Sequence, residues 1–237
     1  MKLIIIKWLL GILNKVVGKV PQWVSSYIAQ NDIFNKVYSP NFLKFFEIID
    51  VDNFKKWSYG LAVSGETIIS ESQFTRLKEA EEFLNSRVLY KNYKIYNEYI
   101  TSLDNLISDL IKVMNDNIEL RADQYYTIRK CDKEFGYRDD ASAKEEQYIA
   151  LVFLIGDLVF ELTRILNSLL NEIRKKDITF LVDVGYLNIP ETKFHLTKMN
   201  ESAPRYIGLK DFYKKRTLHS HDYYYSKEPS DYLKNFL

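Results

Sequence analysis

The sequence predicts an all-α protein: an up-and-down helical bundle organised by a long antiparallel helical hairpin, with a short helix near the C-terminus. Three observations predict it. Only eight glycines and five prolines occur in 237 residues, too few for the turns of a sandwich or barrel. The composition, 46% hydrophobic and 15% aromatic, belongs to a chain that buries a core and not to a disordered one. Two long segments also carry apolar residues at helical spacing. The length suits one sizeable domain, or a domain with a substantial extension.

The elements follow in order. Leu3 to Leu13 is strongly apolar, interrupted by Lys7, and no clean small-residue cleavage site follows, so a signal peptide is not expected. Lys7, Gly11, Asn14, Lys15, Gly18 and Gln22 form the polar stripe of an amphipathic helix. It is read as packing on its own domain. The alternative is a membrane-surface helix over residues 1–20, with Lys7, Lys15 and Lys19 at the headgroups. No run approaches the roughly 18 apolar residues that would span a bilayer.

Pro21 and Ser39-Pro40 mark breaks, and Asn41 to Ile49 reads as a short buried helix. Trp57 to Ile69, with Gly60 and Gly65, reads as a loop or small hairpin. From Glu71 the pattern is helical, with Phe74, Leu77, Phe83 and Leu84 on one face. The hairpin comes next. Its first stripe is Ile95, Tyr99, Leu103, Leu106, Leu110, Val113 and Ile118. Its second, wider stripe is Tyr148, Val152, Ile155, Val159, Leu162, Ile165, Leu169 and Ile173, which marks a central helix. The polar stretch from Arg121 to Gln147 joins them, with the bend at Gly136 and Asp139-Asp140. Ile178 to Val184 and the segment framed by Pro190 and Pro204 read as extended or irregular, and a last short helix begins near Leu209.

Charge and cysteine content narrow the function classes. A formal net charge of +1 argues against coating nucleic acid through the overall field, so any such binding needs a local patch. The single cysteine, Cys131, excludes an internal disulfide framework and fits a reducing, cytoplasmic setting. It has no histidine beside it and reads as a passive thiol. Glu79-Glu81-Glu82, Asp139-Asp140 and Glu145-Glu146 read as solvated faces. His195 and the later histidines have no convincing metal-ligand spacing, so no metal or cofactor is expected.

The chemistry concentrates in Arg216-Thr217-Leu218-His219-Ser220-His221-Asp222-Tyr223. Arginine is a permanent cation that can stabilise a phosphate, and histidine moves protons at neutral pH. Lys210, Lys214, Lys215 and Lys227 supply positive surface, offset by Asp211, Asp222 and Glu228, and Tyr213 and Tyr223 could stack on splayed bases. A spacing of five puts Arg216 and His221 roughly 140° apart on an ideal helix. His219 lies nearly on the arginine's face and is the rival proton carrier. Joint action of Arg216 and His221 on one phosphate needs a helix end, a bend, or a second copy across a symmetric interface.

Arg216, His221 and Tyr223, as Arg-x4-His-x-Tyr, resemble the motif of the HEPN family, small all-helical proteins that include metal-independent ribonucleases of toxin–antitoxin and antiphage systems. The form with the tyrosine is similar to toxins paired with nucleotidyltransferase antitoxins. Thr217 departs from the asparagine usual after the arginine. The resemblance covers residues 93–237 and leaves 1–92 as an N-terminal helical extension of unassigned role. It implies a homodimer with both motifs in an interface cleft, RNA as substrate, and an antitoxin or defence-complex partner. Cleavage would be transesterification: the RNA 2′-hydroxyl attacks the adjacent phosphate, leaving a 2′,3′-cyclic phosphate and a 5′-hydroxyl. His221 would transfer the proton and Arg216 would stabilise the phosphorane. Two other classes compete: a non-catalytic helical subunit of a defence or regulatory complex, and an effector held at a membrane through its N-terminal helix.

Overall fold

The computed structural model describes residues 33–62, 67–120, 124–128, 140–177, 179–181, 184–185, 187–188 and 206–215. These are 77% helical, with six helices, and the fold is an all-α bundle. The chain divides into two compact units, Met1–Lys44 and Phe45–Leu237. The amphipathic stretch over residues 1–20 and the break at Pro21 lie outside the described residues.

In the first unit a π-helical turn, Phe34–Tyr38, leads directly into helix α1, Ser39–Ile48, whose last four residues belong to the second unit. The expected break at Ser39-Pro40 is therefore a change of helical pitch. Proline has no N–H to donate to the Lys36 carbonyl, and its ring crowds that carbonyl. The widened turn, in which the Ser39 N–H donates to the Phe34 carbonyl, accommodates both effects. The rings of Tyr38 and Phe42 lie 6.0 Å apart.

The second unit opens with Phe45, Phe46 and Ile49, all buried. Asp50, in the left-handed region at φ 56°, turns the chain into a 3-10 turn, Val51–Asn53, and helix α2, Phe54–Ala62. The loop or hairpin expected over Trp57 to Ile69 is thus corrected: most of its described part is helix. The misleading residue is Gly60. A Cβ there would lie 2.4 Å from the Ile68 carbonyl oxygen, so this glycine lets a helix touch a strand. That strand, β1 (Ile68–Ser70), belongs to a small sheet with β2 (Ile118–Leu120) and β3 (Tyr125–Ile128). The order is β1-β3-β2 and both pairings are antiparallel, with Ile69 opposite Tyr126 and Glu119 opposite Thr127.

Helix α3 runs from Glu71 to Asn85, as its periodicity predicts. Ser70 caps it, its hydroxyl accepting from the Gln73 N–H at 3.2 Å. Phe74, Leu77 and Leu84 are buried and Phe83 is half-buried. The long hairpin is α4, Lys94–Asn115, against α5, Asp140–Arg174. Two tyrosines near the start of α4 meet the end of α5, which shows the antiparallel sense. The Tyr96 hydroxyl donates to the Glu172 carbonyl at 3.4 Å, and the Tyr99 and Ser168 hydroxyls are 2.6 Å apart. Leu103, Leu106 and Leu110 of α4 and Leu158, Leu162 and Leu169 of α5 are buried in the core. Helix α3 packs on α4 and α2 packs on α5, which is why the α5 stripe is wide. The first stripe departs from expectation at both ends, since Ile95 is exposed and Ile118 lies in β2. Helix α5 starts at Asp140, on the expected bend and ahead of its apolar stripe.

Past α5, the Arg174 guanidinium ties down the chain by donating to the Leu181 and Gly185 carbonyls at 2.9 and 2.8 Å. The described residues between Ile178 and Val184 therefore form turns. Phe180 is buried, its ring 6.1 Å from that of Phe46. The Asn167 side chain pairs with the Leu187 backbone, donating to its carbonyl at 2.9 Å and accepting from its N–H at 2.8 Å. Helix α6, Leu209–Lys215, begins where the sequence predicts.

Candidate functional site

The residues singled out by the sequence fall at and beyond α6. Lys210 is exposed on this helix. Tyr213, Lys214 and Lys215 belong to it, with side chains outside the description. Arg216, His219, His221, Tyr223 and Lys227 lie outside the described residues, as do Cys131 and His195. Of the acidic groups read as solvated faces, Glu79 and Glu82 are exposed and Glu81 is half-buried.

The described structure defines how the helix leading into the motif is held. Gly208, at φ 154°, where a Cβ is strained, carries the chain from Tyr206 into α6. The first turn closes with the Phe212 N–H donating to the Gly208 carbonyl at 3.0 Å. Leu209 is buried, and the Phe212 ring lies 5.7 Å from that of Tyr206. Tyr206 is itself buried and donates its hydroxyl to Asp109 Oδ2 of α4 at 2.8 Å. A hydrogen bond to a carboxylate is stronger than one between neutral groups, so α6 is pinned to the hairpin by a charge-assisted contact.

Below this contact α5 carries buried polar residues within its apolar stripe. Asp157 and Glu161, one helical turn apart, are both buried, and Glu161 is ion-paired with Arg164 at 3.3 Å. Burial raises the Glu161 carboxyl above its ordinary range, while Arg164 pulls it back. The Tyr206 hydroxyl is held far above the usual tyrosine value. Burial is the main cause, followed by the negative charge of Asp109, the hydrogen bond to it, and the charge of Glu161. Tyr206 is therefore a fixed donor, neither base nor nucleophile. The arrangement can orient a helix; the described side chains do not themselves form a reactive pair. Among the described residues no group of three or more His, Cys, Asp or Glu is placed to hold a metal ion.

The sequence reading missed Asp109, Glu161, Arg164 and Tyr206. One signal was present: Asp157, Glu161 and Arg164 interrupt the widest apolar stripe of the chain, where charge is costly unless partnered. Asp109 and Tyr206 are 97 positions apart and carry no local mark. Comparison with models of protein families, with curated proteins and with solved structures gives no match.

Proposed function

We propose that this chain is a HEPN-like, metal-independent endoribonuclease acting as a toxin or antiphage defence effector. The observation that carries the reading is sequence adjacency: Arg216-x4-His221-x-Tyr223 follows directly from α6, and α6 is pinned to the hairpin through Tyr206 and Asp109. A reactive arginine and histidine need a rigid base, because small misplacements of catalytic groups cost rate steeply. In this reading His221 transfers the proton from the attacking 2′-hydroxyl or to the departing 5′-oxygen, with His219 as the rival carrier. Arg216 stabilises the charge on the phosphorane. Lys210, Lys214, Lys215 and Lys227 follow the RNA backbone, and Tyr213 and Tyr223 stack on bases. In this reading the active species is a homodimer, each copy completing the other's cleft. An antitoxin or defence partner restrains it, in a cytoplasmic setting.

The test is cleavage of mixed RNA in EDTA by wild type, Arg216→Ala and His221→Ala, with folding checked by circular dichroism. Expected are 2′,3′-cyclic phosphate ends and a loss of about a hundredfold or more in each folded variant, the scale of general acid–base and charge stabilisation. Cleavage that survives both substitutions sinks the site. A stable wild-type protein that cleaves nothing turns the reading towards a non-catalytic helical subunit.

A further inference from the structure

We draw no further inference here: the strongest candidate, the buried polar side chains where α2 meets β1, with Trp57 Nε1, Ser58 Oγ and Thr67 Oγ1 lacking hydrogen-bond partners, carries nothing, because nothing in the structure shows what these atoms would bind.

Discussion

The hairpin carries tyrosine hydroxyls at two places along its seam, and they act differently. Near the start of α4, Tyr96 and Tyr99 reach across to a carbonyl and a serine on α5, so both partners belong to the hairpin itself. Further along α4, Asp109 receives the hydroxyl of Tyr206, a residue outside the hairpin that brings α6 with it. The first pair knits two helices with neutral bonds, while the second ties a separate helix to the bundle through a carboxylate. The chemistry matches the task. Two long helices with continuous apolar faces need little help to pair, but a helix of only seven residues cannot stand alone in water and needs an anchor.

Substitutions can break or sharpen this contrast. The largest effect is expected where both places depend on one core: Leu106→Ala, at a fully buried position of α4, should cost about 2–5 kcal/mol in urea unfolding. Tyr206→Phe should come next, at about 1–3 kcal/mol, because it leaves a carboxylate oxygen of Asp109 without its donor. Its mark should be local, with hydrogen exchange rising in residues 209–215 before the hairpin loosens. If exchange there stays unchanged, α6 is not held by this contact and the comparison fails. Tyr99→Phe should cost less, about 0.5–1.5 kcal/mol, because it removes a bond between two neutral hydroxyls. Its loss should appear at the paired ends of α4 and α5 and leave α6 unaffected.

The smallest effect is confined to alkaline solution. Burial, and after it the nearby charge of Glu172, push the Tyr96 hydroxyl up to about 12 from an ordinary value of 10.0. Between those values the folded chain keeps a proton that the unfolded chain releases. Stability should therefore fall as pH rises from 10 towards 12. Tyr96→Phe should flatten that part of the decline in a pH series of urea melts. An unchanged slope would mean that Tyr96 is more open to water than its packing indicates.

Local pattern carried much of the fold. Glu71 to Asn85, the two hairpin helices and the start of α6 at Leu209 could all be read from apolar spacing, because a buried helical face must repeat every 3.6 residues. The sheet could not. Strands of three or four residues are too short for an alternating pattern to register, and β1 pairs with β3 across more than fifty intervening residues. Gly60 and Ile118 misled for the same reason. A glycine suited to a turn instead serves a helix–strand contact, and an apolar residue in helical phase instead ends in β2. At the candidate site, Lys210 could be read directly as a positive group on α6. The anchoring pair could not, because neither Asp109 nor Tyr206 differs in local context from other acidic or aromatic residues of the chain.

By itself, then, the sequence determined the class of fold, the helical hairpin and the segment in which arginine, histidine and lysine concentrate, since composition and periodicity are properties of neighbouring residues. The tertiary structure alone decided that α6 is anchored through Tyr206 on Asp109, that Glu161 lies buried close by, and that Val88 to Tyr90 face outward. These facts depend on burial and on contacts between residues far apart in the chain. Such contacts form only when helices that are each readable locally pack into one particular arrangement.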